Sequence, residues 1–180
     1  MQNLKTAAHP GSHRLPTATG GISRLACAQA QAAGVDIAPI LTRVGISPRQ
    51  IEDAAAPISV RSQIEFLNAI ADAVNDDLLG FHLARTCDLR SMGLYFYVLA
   101  SSDALIDALN RLARYTAIVN EGISQSRVDG DRVGVSYKYV GVSRHSDRHQ
   151  IEFWMTALVR ASRQLTGRQL VPEMVRVIHR

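Results

Sequence analysis

The chain has 180 residues, 47% hydrophobic and 20% charged, with a net charge of +4. That length suffices for one domain with a sizeable core, or a domain plus a tail, and the balance is that of soluble globular proteins rather than of disordered or fibrous ones. Lysines and arginines are interleaved with acids along the whole chain, so the small positive surplus makes no dense patch and argues against a nucleic-acid groove.

Residues 1–21 combine Pro10, Gly11, Pro16, Gly20 and Gly21 with Ser and Thr. Their ordering entropy has few apolar groups to offset it, and a flexible tail is expected. The charged residues Lys5, His9, His13 and Arg14 interrupt any apolar run there, which excludes a secretory signal. From residue 22 to 180 a single domain is expected.

Three short helices should open it. Ser23 is placed to cap a segment ending at Gly34, Asp36 a second stopped by Gly45, and Ser47 followed by Pro48 a third. The rhythm of helix, glycine and helix resembles a helix-turn-helix. However, Pro48 to Asp53 is barely a turn and a half, carries Glu52 and Asp53, and runs into Ala54-Ala55-Ala56-Pro57. A recognition helix must present several donors to base edges, so a packed helical cap is the better reading.

Val60, Ile64, Leu67, Ala71 and Val74 recur at helical spacing until Asn75-Asp76-Asp77 breaks the stripe. An amphipathic turn or two follows in Leu78 to Ala84. Met92 to Ala100 is an apolar run compatible with a buried helix or a buried strand, and is far shorter than the roughly 20 residues of a membrane span. Ser101 or Ser102 should cap the next helix, with Asp103 in its first turn and Leu105, Leu109, Leu112, Thr116 and Val119 as its seam.

Alternation then replaces helical spacing. Ile123 to Val128 and Val133 to Tyr139 flank Asp129-Gly130-Asp131, predicting a β-hairpin at about 121–140, with Val133, Val135, Tyr137 and Tyr139 on one face. A long helix starting at Ser143 or Ser146 and ended by Gly167 carries Ile151, Trp154, Met155, Leu158, Val159, Ser162 and Leu165 as its stripe. After Pro172, alternation of Met174, Arg176 and Ile178 with Val175, Val177 and His179 predicts a strand at about 172–178. The fold class expected is α+β: mainly helical, with a small antiparallel sheet of hairpin and C-terminal strand packed against a long helix at about 144–166.

Cys27 and Cys87 make neither a disulfide framework nor a metal-ligand pattern, which suits a reducing cytoplasm. No nucleophile elbow, phosphate-binding loop, dinucleotide turn or close Cys-His signature is present, so neither an enzyme nor a cofactor is expected. His145, His149 and Glu152, at i, i+4 and i+7 of the long helix, have a spacing that brings imidazoles and a carboxylate toward one metal. Metal sites generally need a ligand from a second element as well, and caps or surface ion pairs account for these residues more simply. Projection at about 100° per residue places Arg144, Asp147 and Arg148 on the stripe that later carries Trp154. These charges should therefore close the core as an Arg-Asp pair or form an anion or small-molecule site bordered by Trp154 and a tyrosine. The candidate ligand-binding set is Arg144, Arg148, Trp154, Tyr95 and Tyr97, with Tyr137 and Tyr139 as further hydroxyls.

The order and wording of several segments carry a resemblance. ILTRVGISPRQIED (40–53), LLGFHL (78–83), MGLYFYVLASSDALIDALNRLA (92–113), the hairpin, WMTALVRASRQLTG (154–167) and VPEMVRVIH (171–179) resemble, in that order, the so-called arabinose-binding N-terminal domain of AraC-type transcription regulators. The resemblance spans residues 22–180. It implies a cytoplasmic domain that senses a small-molecule effector or mediates homodimerisation, has no contact with a membrane, and touches DNA only through a separate C-terminal domain of two helix-turn-helix units. It also implies that the sensing domain continues past Arg180. Sugar-binding members of the wider family hold their ligand in a jelly-roll barrel, whereas helices dominate here, so no ligand residues carry over.

Overall fold

The computed structural model describes residues 15–128, 133–141 and 147–178. Among them are eight α-helices, two short antiparallel strand pairs and a 3-10 turn. The α+β, mainly helical class expected from periodicity is what forms.

Strand β1 (Thr17–Ala18) pairs with β2 (Ile58–Ser59), so the end of the expected tail is part of the fold. It is anchored on its other side as well: Ala18 bridges Asn120, the Thr19 amide donates to the Val119 carbonyl at 3.0 Å, and the Thr17 amide and hydroxyl both donate to the Glu121 carboxylate at 2.7 Å. Helix α1 (Gly21–Ala32) follows directly, with Gly20 as N-cap at φ 72°. Ser23 does not cap it. The residue is buried within the helix and donates instead to Gln63.

Helix α2 (Ala38–Val44) has Ile37 as its N-cap, one residue after the expected Asp36, whereas helix α3 (Pro48–Glu52) is capped by Ser47 as expected. Asp36 accepts from the Ala38 amide at 3.0 Å, and Ser47 and Gln50 form a reciprocal capping box. Gly45 ends α2 at φ 69°, a left-handed conformation that costs glycine little. Helix α4 (Val60–Val74) buries Val60, Ile64 and Leu67, with Phe66 and Ile70 beside them, and stops at Asn75 with φ 53°.

Helix α5 (Leu79–Thr86) precedes a 3-10 turn (Leu89–Met92) and helix α6 (Leu94–Ala100), which resolves the ambiguous apolar run as a helix. Helix α7 (Leu105–Val119) has its predicted seam but not its predicted cap: Ser101 and Ser102 turn back to the Val98 carbonyl, and Asp107, not Asp103, stands in the first turn.

The hairpin consists of β3 (Ile123–Val128) and β4 (Gly134–Tyr139), in register from Ile123 opposite Tyr139 to Val128 opposite Gly134. The expected turn at 129–131 lies outside the described residues. Val135, Tyr137 and Tyr139 pack on the core as the alternation predicts, whereas Val133 is exposed. The hairpin's main support is α7, and it reaches the long helix through Tyr139.

Helix α8 (Arg148–Thr166) is that long helix. The proposed starts at Ser143 and Ser146 fall outside the described residues, and Gly167 ends it as expected at φ 65°. Its buried face is wider than the predicted stripe, since Gln150, Phe153, Ala157 and Ala161 are buried along with Ile151, Trp154 and Leu158, while Leu165 is exposed. The predicted strand at 172–178 does not form: this segment is irregular, with Val171 77% and Ile178 80% exposed. Alternation alone does not make a strand without a neighbouring edge, and β3 and β4 pair only with each other among the described residues.

The most extensive contact between helices is that of α5 with α8. It depends on Gly80: a Cβ there would lie against the His149 carbonyl, 2.6 Å from its carbon and 2.7 Å from the His149 Cα. The obstacle is helix backbone, which cannot swing aside. Arg160 of α8 completes the joint by donating to the carbonyls of Ala84 and Cys87 at the end of α5, where a cation complements the helix dipole. Gly80→Ala should therefore destabilise the domain by roughly 3 kcal/mol or more, measured by urea unfolding, whereas Ala84→Gly, without that clash, should cost about 1 kcal/mol.

His149 is buried at the same joint, and its Nδ1 has no hydrogen-bond partner among the described residues. Burial pushes its pKa below the ordinary imidazole value; Glu152, Asp76 and Asp72 pull it upward and Arg148 adds to the depression. An imidazole that resists protonation in the fold leaves stability whole above about pH 6.5 and erodes it as pH falls further, because the unfolded chain takes up the proton first. The melting temperature should drop between about pH 7.5 and about pH 5.5, and His149→Gln should flatten that dependence.

Candidate functional site

A cleft of about 230 Å³ opens where the start of α1, the 3-10 turn, the end of α7 and the middle of α8 converge. Its walls are mostly apolar: Ile22 and Leu25 from α1, Met92 and Leu94 beside the 3-10 turn, Ile118 and Val119 from α7, and Phe153 from α8. Polar character enters at few points, as is usual for small-molecule sites. Arg24 projects from the first turn of α1; its Nη2 donates to the Thr19 carbonyl at 2.8 Å, and its Nη1 is buried without a partner among the described residues. Burial lowers the Arg24 pKa, and the negative charge of Asp53 partly offsets this. Trp154, only 4% exposed, lines the cleft from α8, and its indole Nε1 is likewise buried without a partner among the described residues.

Two buried chains of contact join this cleft to the rest of the domain. In the first, Ser23 donates to Gln63, which donates to Gln150 at 2.7 Å, which donates to the Tyr139 hydroxyl at 2.7 Å. This chain crosses α1, α4, α8 and β4. In the second, the Trp154 ring lies 4.9 Å from that of Tyr95, and the Tyr95 and Tyr137 hydroxyls are 3.1 Å apart, linking α8 through α6 to the hairpin. Burial raises the pKa of both tyrosines, that of Tyr137 to about 12, so both are neutral hydrogen-bonding phenols at physiological pH.

The cleft is set in a helical domain with a small hairpin. Residues 34–180 match the family described as the N-terminal arabinose-binding domain of AraC transcription regulators. The chain belongs to that family. No curated protein matches it. The family is one of regulatory domains rather than enzymes, and no helix among the described residues is long and apolar enough to cross a membrane.

In this AraC-type domain the residues proposed from sequence separate. Trp154 lines the cleft and Tyr95 supports it from behind, whereas Tyr97 is 58% exposed beside Phe96. Arg148 pairs with Glu152 at 2.8 Å, and Glu152 lines a different feature, an open groove of about 680 Å³ between α5 and α8. Arg144 lies outside the described residues. So does His145, the first of the three residues spaced for a metal; His149 is buried at the α5 joint, and the described residues contain no group of three or more potential ligands placed to hold a metal.

Sequence reasoning missed Arg24, Gln63 and Gln150. Gln63 left a trace, because it sits three residues after Val60 on an otherwise apolar face, where a polar side chain has to find a buried partner. Truncating one side of that pair should cost more than truncating both. Gln150→Leu strands Gln63 and is expected to lose about 1–3 kcal/mol, while the Gln63→Leu/Gln150→Leu double variant should recover part of the loss; equilibrium unfolding of the three variants measures the coupling.

Proposed function

We propose that this chain is the effector-sensing part of an AraC-type regulator, in which a small molecule seated in the Trp154 cleft biases helix packing and so controls a DNA-binding domain elsewhere in the regulator. The observation that carries this reading is the connection of the cleft, through two buried polar and aromatic chains, to α4, α6 and the hairpin. A ligand that drew α1 and α8 together would bear on every one of those elements. It would shift the regulator between states only by its differential affinity for them. The sugar in the family's name is not part of this reading, since the cleft is smaller than the roughly 300–1,000 Å³ typical of ligand pockets and largely apolar. The buried thiols of Cys27 and Cys87 suit work in a reducing cytoplasm.

A second reading, a ligand-free homodimerisation module, draws on a different observation. The segment after α8 exposes Val171, Met174, Val175 and Ile178, and Val175 borders the groove between α5 and α8. The strand expected at about 172–178, whose edge would have suited pairing of two copies, does not form among the described residues. Screening cellular metabolites by thermal shift separates the two readings. An effector at about a hundred times its dissociation constant should stabilise the domain by about 2.7 kcal/mol. No shift with any metabolite, together with a dimer that persists on dilution, would favour the association module.

A further inference from the structure

We infer that the Trp154 cleft takes a small organic carboxylate, with the anionic group between the start of α1, Arg24 and Trp154 and a short hydrocarbon body against the apolar walls. This inference rests on the sensing reading and adds to it the chemical class of the effector. Three independent features of one cleft favour negative charge. Gly21 and Ile22, at the N-terminus of the twelve-residue helix α1, line the cleft, and this end has neither a side-chain cap nor an acidic residue in its first turn. The partial positive charge of a helix start is thus left uncompensated where the cleft begins. Arg24 adds a full positive charge with one buried nitrogen unpartnered, and it makes no ion pair among the described residues. Trp154, lining the cleft from α8, adds a second buried donor without a partner among the described residues.

Among the described residues no carboxylate lines the cleft: the acid whose field reaches Arg24, Asp53, stands outside it. Such a site rewards an acceptor-only, charged group and penalises a donor, because buried donors left without acceptors cost free energy. The remaining walls are mostly apolar, with Ile22, Met92 and Phe153 among them, and of their polar side chains Gln63 is engaged by Ser23 and Gln150 and Ser91 by the Asp88 carbonyl, which leaves few partners for a polyhydroxylated ligand. The volume of about 230 Å³ sets a short chain as the limit. A guanidinium matches the planar carboxylate in two parallel hydrogen bonds, which an ammonium does not.

The test uses the whole 180-residue chain and its single tryptophan, which is the cleft residue itself. The protein is titrated at constant ionic strength with straight-chain carboxylates of about two to six carbons, with the matching primary amides, and with inorganic phosphate, while Trp154 emission is followed. Saturable changes are expected with carboxylates, at least about tenfold tighter than with the amides. Arg24→Gln should abolish that preference, and Arg24→Lys should keep the preference for charge at reduced affinity; circular dichroism checks that both remain folded. If Arg24→Gln fails to fold, Arg24→Lys and the acid-to-amide ratio of the unaltered chain decide. Amides binding as well as acids, or binding by phosphate alone, would overturn the carboxylate while leaving a small-molecule sensor in place. Silence of Trp154 toward all three probes would overturn this inference too, and the metabolite screen then judges the sensing reading separately.

Discussion

The hydrogen bond between Gln63 and Gln150 joins two helices at a point where neither side chain meets water, and much of the domain's arrangement follows from it. A buried amide must find partners or cost on the order of 1–3 kcal/mol per unsatisfied group. Hydrophobic burial is tolerant of small slides between helices, whereas an amide pair at 2.7 Å fixes the axial position and rotation of α4 against α8. Ser23 and Tyr139 extend the same constraint to α1 and to the hairpin, so elements far apart in sequence share one register.

With α8 held in this way, its two flanks acquire different characters. On one flank Gly80 lets α5 approach so closely that backbone meets backbone, and Arg160 clasps the end of that helix. On the other flank Trp154 and Phe153 meet α1, the 3-10 turn and α7 less closely, and the cleft is the gap that remains. A tight joint thus stands beside an incompletely filled one in this AraC-type domain: α5 and α8 form a close-packed frame, while the packing of α1 against the aromatic residues of α8 leaves a gap.

Spacing of apolar residues carried most of the fold in readable form. The stripe from Val60 to Val74, the seam from Leu105 to Val119 and the alternation of Val135, Tyr137 and Tyr139 each appear where period predicts them, because burial on one face is a local property of the sequence. What period does not encode is partnership. The segment 172–178 alternates like a strand yet has no edge to join among the described residues, and Ser23 looks like a cap yet serves a glutamine forty residues away. The site was less legible for the same reason: Trp154 belonged to a visible stripe, while Arg24 becomes notable only once folding sets the start of α1 against the middle of α8. Arg148, projected inward from the helical wheel, found its carboxylate one turn along its own helix at Glu152, a local pairing that outcompetes any distant one at little entropic cost.

Net charge illustrates the limit from another side. A surplus of four positive charges over 180 residues says almost nothing about where a charge is useful. One guanidinium lining an apolar cleft, partly desolvated and next to a helix start without a side-chain cap, is screened less than a solvated surface lysine, because water and salt screen least where the chain excludes them. Keeping carboxylates out of the cleft lining preserves that field, and placing Asp53 outside it moderates the cost of holding Arg24 in the apolar wall. Which few polar groups face the gap is thus decided by packing rather than by net charge, and the amide pair between α4 and α8 fixes the relative position of those two helices beside it.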